Sequence, residues 1–492
     1  MSARYRMKPA ARVLLVEGNN MGKWVGTTMP YEVHIPPLGL MYLASYARTA
    51  LPGVEFRIIE SSLSSPDDER FIRILNEFQP DVVGVRSVAF FLEELQRIAC
   101  LVRAHSDAIL VAGGPIVQAY KRRLFEEVPE LEIAVKGEGE KVFVDLLSGS
   151  PLPMIPGLLY RTDEGVVENE DQPQVEDIDS LPFPAYDLID LDQYQHQLSY
   201  AYNHRRQGVL LTSRGCAYHC TFCFTHWKGI RLRSAANIYE EIKQLHDQHG
   251  IEDFYVVDDI FNVDSKRSLK LFDLIVEAML KLRLYFVNGL RADITSEKFV
   301  DRALEAGAVW FTYAVESGTD EIQRLVKKRL DLEKTRRIIA YTQQQNVAVN
   351  VSTMYGFPTE TRELAQRTLD WLSELPKPSL LPYHFCLRFF PGCEINQQAL
   401  DAGWDPERLG LTSRFSYNDL PLGTPTLSKQ DMYGIQLEYH RRFGLSNPAA
   451  VDSAVRTLRS IGYSDMEIVH MYSVLKRKVI HNVGDLMSAG GN

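Results

Sequence analysis

The sequence predicts an α/β chain with two successive parallel-sheet domains and a helical end. Three observations carry this. Short apolar runs of strand length alternate with helix-period segments across residues 1–147, and the alternation resumes across 206–395. Such alternation produces parallel sheets covered by helices. Residues 148–205 between them carry many Pro, Asp and Gly with little periodicity, as a linker does, and beyond residue 396 only helix-period segments recur. A chain of 492 residues has room for about two to four domains. Its 45% hydrophobic and 24% charged residues match a globular chain in water, and no apolar run approaches the roughly 18 residues of a bilayer span. The basic stretch Met1–Lys8 leads into a strand pattern rather than a secretory core, so a reducing cytoplasm is expected. A net charge of −10 argues against a broad phosphate-binding surface, so neither nucleic acid nor membrane is an expected partner.

In the first domain, strands are expected at 12–16, 54–59, 81–85, 108–112 and 132–135, with helices at 41–49, 67–78 and 92–105 and a last one after Glu140. Doubly wound sheets bind ligands past the carboxyl ends of their strands, where glycine lets a ligand approach the backbone. Gly113-Gly114-Pro115 and Lys136-Gly137-Glu138-Gly139-Glu140 fall at such ends. In the linker, residues 156–161 and 165–167 suggest a hairpin, and Leu181-Pro182-Phe183-Pro184-Ala185-Tyr186 a rigid connector.

In the second domain, strands are expected at 209–212, 253–257, 284–288, 310–315, 347–354 and 384–390. Helices are expected at 237–249, 265–282, 296–306, 333–345 and 360–372, then at 427–442, 449–461 and 465–482. Barrels of parallel strands do their chemistry at the carboxyl ends. Asp258-Asp259, Arg291 with Asp293, Glu316-Ser317-Gly318 and Gly356-Phe357-Pro358-Thr359-Glu360-Thr361 all follow predicted strands. Thr359 could also simply cap the next helix, and Lys476-Arg477-Lys478 reads as a solvated helix face.

Three of the six cysteines, Cys216, Cys220 and Cys223, fall within eight residues in the spacing C-x3-C-x2-C. They cannot pair among themselves, and Cys100, Cys386 and Cys393 lie far off in sequence, so a disulfide framework is not the reading. Zinc normally takes a fourth ligand, for which only His219 and His226 are close. Thiolates are the usual ligands of iron–sulfur clusters; three of them on a 4Fe–4S cluster leave one iron open to a small molecule. Cys386 and Cys393 read as core thiols rather than as ligands of a second cluster.

The cysteine spacing, the strand before it and the aromatic Phe222 resemble the signature of the radical S-adenosylmethionine (SAM) enzymes. The resemblance implies a partial, TIM-like (β/α)6 barrel whose open iron chelates the amino and carboxylate groups of SAM. One electron, from a donor such as flavodoxin or ferredoxin, then releases a 5′-deoxyadenosyl radical. It further implies that Phe222 packs near adenine, that Asp258 and Asp259 meet the SAM ammonium, that Arg291, Glu316 and Ser317 reach ribose and carboxylate, and that Gly356 and Pro358 lie along adenine. The first domain resembles the Rossmann-like cobalamin-binding domain of one branch of this family, through Pro36-Pro37-Leu38-Gly39-Leu40, Asp81-Val82-Val83-Gly84-Val85, Ala112-Gly113-Gly114-Pro115 and Lys136-Gly137-Glu138-Gly139-Glu140. Pro37, Leu38, Gly39, Gly84, Gly113, Gly114, Gly137 and Glu138 are the cofactor contacts this implies. The D-x-H-x-x-G motif of other cobalamin proteins is absent, and His34 and His105 stand outside such a context, which implies base-off cobalamin without a protein histidine on cobalt. A flavodoxin-like domain without cobalamin is the plainer alternative.

The function this resemblance implies is methylation of an unactivated carbon, or of phosphorus, in a small biosynthetic intermediate, by way of a 5′-deoxyadenosyl radical and methylcobalamin. No side-chain nucleophile is required. The same domains support cyclisation or rearrangement without methyl transfer. A tRNA methylthiotransferase would carry three further cysteines in its first domain, where this chain has only Cys100. A cobalamin or SAM sensor would bind without cleaving SAM. The helical end, residues 396–492, is expected to close the barrel's open side and shape the substrate pocket.

Overall fold

The computed structural model describes residues 11–18, 36–60, 68–195, 205–224, 227, 229–376, 380, 382–390, 392–407, 409, 423–444, 447–469 and 471–472. His34, His226, the run Lys476–Lys478 and most of the last expected helix lie outside the described residues. The chain divides into two compact units, Met1–Gln197 and Leu198–Asn492.

The first unit is built on β1 (Arg12–Glu17), β2 (Glu55–Glu60), β3 (Val82–Arg86), β4 (Ile109–Gly113), β5 (Ile133–Val135), β6 (Leu158–Thr162) and β7 (Gly165–Glu168). They form one sheet in the order β2-β1-β3-β4-β5-β6-β7. The first five strands run parallel, and β6 and β7 are antiparallel. Leu14, Val16, Val83 and Val85 face one core while Val13, Leu15, Val82 and Val111 face the other, so both faces are apolar. Helices α1 (Leu38–Ala50), α2 (Asp68–Phe78), α3 (Leu92–His105), α4 (Pro115–Tyr120) and α5 (Glu140–Leu147) divide between those faces. Leu40, Ala44 and Phe143 from α1 and α5 fill one core, and Phe71, Leu95 and Ile116 from α2, α3 and α4 the other. The expected linker hairpin is present as β6–β7. It is not free-standing, because Leu158 and Tyr160 enter one core and Leu159 the other.

The second unit holds a parallel sheet of β8 (Gln207–Leu210), β11 (Asp253–Val256), β12 (Arg283–Leu290), β13 (Ala308–Glu316), β14 (Ala348–Tyr355) and β15 (Tyr383–Cys386), ordered β15-β14-β13-β12-β11-β8. A separate antiparallel pair, β9 (Ser213–Gly215) with β10 (Ile230–Leu232), brackets the cysteine segment. The helices are α6 (Ala235–His249), α7 (Ser265–Glu277), α8 (Glu297–Glu305), α9 (Asp320–Leu325), α10 (Leu332–Gln343), α11 (Arg362–Ser373), α12 (Glu394–Asp401), α13 (Lys429–Phe443) and α14 (Pro448–Ser460). Side chains alternate across the strands. Phe286 packs outward among Phe272 and Phe299 of α7 and α8. Tyr255, Tyr285, Trp310 and Ala348, aligned by strand register, make one layer on the other face. Ala454 and Leu458 of α14, with Tyr463, Ile468 and Met471, pack on that layer.

Several sequence expectations need correction. The first barrel strand ends at Leu210, two residues early, because Thr212 turns into a buried polar contact. The sixth ends at Cys386, beyond which Leu387 and Phe389 pack into a core instead of a ladder. Helix α7 stops at Glu277, before a left-handed Met279. Helix α11 is capped by Thr361, not Thr359. The α14 segment covers the layer near the amino ends of the strands: Ser460 Oγ reaches Asn346 O, just before β14. Helix α13 lies by the carboxyl ends, with Met432 Cε 2.8 Å from where a Cβ on Gly356 would stand, and α12 packs there too, through Ile395 and Ala399 against Phe357.

Candidate active site

The cysteine segment is held as a closed loop. Gly215 ends β9 with φ +85°, and a Cβ there would stand 2.2 Å from Gly229 O, so the two ends can pair only through a glycine. Thr221 N donates to Val326 O (3.1 Å), while Thr221 O accepts from Ile395 N (2.9 Å). Phe222 and Phe224 pack against the core of Phe357, Leu387, Phe389 and Cys393. The Tyr218 ring lies 4.0 Å under the Arg291 guanidinium.

The three thiols are free and partly accessible, with Cys223 exposed. The Cys223 thiol donates to Cys220 and, with Lys328 nearby, draws Cys220 down to about 7; burial opposes the shift. Cys223 moves up through the same bond, and burial raises Cys216. One thiolate is thus already favoured in this loop, and Lys328 supplies positive charge to all three positions. Among the described residues no three His, Cys, Asp or Glu side chains converge on a single ion. A cluster asks for a different arrangement, one thiolate per iron, and this donor set fits it.

Around the loop stand the acids predicted from sequence, with unequal tasks. Asp259 is exposed and faces the loop closely enough to raise Cys216; its desolvated position, then Asp258, raises its own carboxyl to about 6. It carries a carboxylate available to an ammonium. Asp258 is buried and already bonded to Thr212 N (2.6 Å), Thr212 Oγ1 (2.5 Å) and Ser213 Oγ (2.7 Å), so its oxygens are engaged within the protein. Arg291 is likewise committed, to Asp293 (2.8 and 3.1 Å) and Arg329 O (3.3 Å). Glu316 ends β13 with φ +69°, a strained value for a residue with a side chain, and pairs with Lys328 Nζ at 2.7 Å. Both are buried beside the cysteines. Ser317 turns inward to Thr319 and Thr368, each at 3.0 Å, and is a packing residue.

Gly356 and Pro358 form the turn after β14, where Glu360 Oε2 accepts from Gly356 N (2.6 Å) and Phe357 N (3.3 Å). Its Oε1 is buried with no hydrogen-bond partner among the described residues, and burial raises the carboxyl to about 8. Burial also lifts Cys386 to about 12 and Cys393 to about 11, as inert core thiols. Sequence reasoning missed Lys328, which has no motif, and Gly215, whose place directly before Cys216 was the available signal.

In the first unit, strand order reverses between β1 and β3, the switch point where doubly wound sheets take ligands. Arg86 Nη1 meets Glu17 Oε1 there at 2.7 Å. Pro37 and Leu38 start α1, and a Cβ on Gly39 would lie 3.4 Å from Arg86 Nε. Among the described residues, Cβ atoms on Gly113 and Gly137 would meet nothing within 4 Å, whereas one on Gly114 would strike Ser87 O and Arg86 Cγ at 3.0 Å. Among the described residues, this edge leaves room for a large ligand close to the backbone, which fits a corrinoid. Two expected contacts are elsewhere. Gly84 lies in mid-strand, where a Cβ would meet Leu15 at 2.9 Å, and it serves packing. Glu138 accepts from Val175 N at 2.6 Å and ties down the segment after the hairpin. His105 ends α3 just before β4, at the opposite edge of the sheet.

Residues 210–372 match the Radical SAM superfamily, and residues 23–147 match the B12 binding domain. The chain belongs to the radical SAM enzymes that carry a B12-binding domain. It is 29% identical to the uncharacterized methyltransferase PH0819 of Pyrococcus horikoshii, over 71% of this chain and 74% of that one. It is 27% identical to the cytidylyl-2-hydroxyethylphosphonate methyltransferase of Streptomyces wedmorensis, over 83% of this chain and 86% of that one. The structure of TsrM from Kitasatospora setae, a radical SAM methyltransferase with cobalamin and a [4Fe-4S] cluster bound, has the same fold: TM-score 0.64 at 22% identity, covering 79% of this chain and 75% of that one. A radical SAM domain with a B12-binding domain implies a 4Fe–4S cluster, SAM and cobalamin as cofactors. No helix among the described residues is long and apolar enough to cross a membrane.

Proposed function

We propose that this protein is a cobalamin-dependent radical SAM methyltransferase acting on an unactivated carbon, or on phosphorus, of a small biosynthetic intermediate in the cytoplasm. When bound, the cofactors supply a 5′-deoxyadenosyl radical and a transferable methyl group. The chain's part is to hold and orient them. Cys216, Cys220 and Cys223 present thiolates on a loop fixed at Gly215 and Thr221. Asp259 receives the SAM ammonium in a charge-assisted bond. Glu316 and Lys328 would set the charge balance beside the cysteines that hold the cluster, and the turn from Gly356 to Pro358 with Phe222 would frame the adenine. In the first unit the edge at Gly113 and Gly137 would receive cobalamin. A one-electron donor such as flavodoxin or ferredoxin supplies the electron.

The observation that carries this reading is the three-thiol loop facing an uncommitted Asp259, in a chain that aligns along most of its length with named methyltransferases. Methyl transfer consumes one SAM as methyl donor and one as radical source. Anaerobic turnover by reconstituted protein should therefore release S-adenosylhomocysteine and 5′-deoxyadenosine in roughly equal amounts. Deoxyadenosine without stoichiometric S-adenosylhomocysteine would overturn the reading in favour of ring closure or rearrangement. Neither product would favour a sensor.

A further inference from the structure

Beneath the cysteine loop lies a buried polar network. Thr212, four residues before Cys216, is its hub. Asp258 accepts from Thr212 N, Thr212 Oγ1 and Ser213 Oγ at 2.6, 2.5 and 2.7 Å. Arg267 of α7 donates to Thr212 O (2.8 Å), Thr212 Oγ1 (3.1 Å) and Phe261 O (2.9 Å). Arg233, just past β10 where the loop returns, donates its N–H to the same Thr212 O at 3.0 Å. Its guanidinium spans Leu211 O (3.1 Å), Asn237 Oδ1 (2.7 Å) and Glu241 Oε2 (2.5 Å). Asp258, Arg267, Arg233 and Glu241 are all under 10% exposed. Burying four charged groups costs several kcal/mol unless each is paired, and a surface loop with no task beyond connection would not need them.

We infer that Asp258 is a positioning residue: with Arg267 and Arg233 it clamps the outgoing and returning ends of the cysteine loop at Thr212, setting the thiol arrangement before the cluster is loaded. The two adjacent acids after β11 thus divide the work, Asp259 facing the ligand and Asp258 the backbone that carries the cysteines. Preorganised ligands are held by the groups behind them. The inference rests on Cys216, Cys220 and Cys223 being cluster ligands, a reading decided separately by whether the parent protein holds a cluster.

A matched control sits at the other end of the same strand. Asp253 is 1% exposed and accepts from Arg283 Nε (2.9 Å), Arg283 Nη2 (2.5 Å) and Tyr285 Oη (2.7 Å), away from the loop. The test compares full-length Asp258→Asn, Ser213→Ala and Asp253→Asn. In cluster-free protein, iodoacetamide alkylation of each loop cysteine is timed by peptide mass spectrometry; in reconstituted protein, the electron paramagnetic resonance of the reduced cluster is recorded with and without SAM. Asp258→Asn should speed alkylation about fivefold and abolish the spectral change on adding SAM. Ser213→Ala, which removes one of the three bonds, should speed it about twofold, and it serves alone if Asp258→Asn fails to fold. Asp253→Asn should lower the melting temperature while leaving rates and spectra at parent values. Parent-like rates and spectra in Asp258→Asn and Ser213→Ala would overturn the inference. So would Asp253→Asn changing both as much as Asp258→Asn does.

Discussion

At the carboxyl edge of the N-terminal sheet, Gly113 and Gly137 face open space among the described residues, and the Arg86–Glu17 ion pair spans the switch point between β1 and β3. At the carboxyl edge of the barrel sheet almost every polar side chain is already engaged: Asp258 with Thr212, Arg291 with Asp293, Glu316 with Lys328. Both are carboxyl edges of parallel sheets, where such folds take ligands, yet one is built by subtraction and the other by fixation. A large corrinoid needs room and backbone approach. A cluster needs three thiolates at set positions, so its edge is braced from behind. The difference explains why glycines mark the first site in sequence and charged residues the second.

The strongest way to break this comparison is to remove the fixation. Changing Cys216, Cys220 and Cys223 together to Ala should reduce cluster iron and sulfide to background. Gly215→Ala should come close to the same loss with all cysteines intact, because its Cβ would enter the Gly229 carbonyl. Iron analysis of reconstituted protein checks both. Full cluster in either variant would mean that the loop is not the rigid element described.

Lys328→Met should cost about 3–5 kcal/mol of stability, since it leaves Glu316 buried without its partner. Arg86→Met should cost less, because Arg86 is about one-third exposed while Glu17 is buried. Denaturant midpoints compare the two, and equal losses would erase the contrast between braced and open edges. Gly113→Trp sharpens it from the other side. The position has room for a Cβ, so the fold should survive and SAM binding should be unchanged, while cobalamin affinity falls at least tenfold; equilibrium dialysis with both ligands reads this.

The smallest expected effect concerns Glu360. Burial raises its carboxyl to about 8, above the ordinary 4.5. The folded state therefore holds a proton that the unfolded chain releases, and the resulting stability is full below pH 4.5 and lost as pH rises towards 8. Glu360→Gln should be close to neutral at pH 5 and clearly stabilising at pH 8, measured by denaturant unfolding at the two pH values.

Much of this was legible in the sequence because the two alternating patterns and the cysteine spacing are local signals. Helix α3 appears with the boundaries its apolar period gave, and all six barrel strands begin within two residues of expectation, five of them also ending within two. What was not legible depended on tertiary context. Asp258 and Asp259 are the same residue type side by side, and only packing shows that one faces Thr212 and the other solvent. Gly84 sits between apolar strand residues like a ligand glycine, but its neighbour is Leu15. Lys328 follows no spacing rule, and the β9–β10 pair is three residues long on each side, too short to declare itself.

The central claim, methyl transfer, is tested most directly by label. Reconstituted full-length protein with cobalamin, a one-electron reductant and SAM carrying a deuterated methyl group is incubated with a candidate small-molecule substrate, and product mass is read against unlabelled SAM. Methyl transfer requires a product heavier by the mass of the labelled methyl group, formed together with S-adenosylhomocysteine and 5′-deoxyadenosine. A product that forms with deoxyadenosine and gains no label would contradict the account and assign the chain to ring closure or rearrangement.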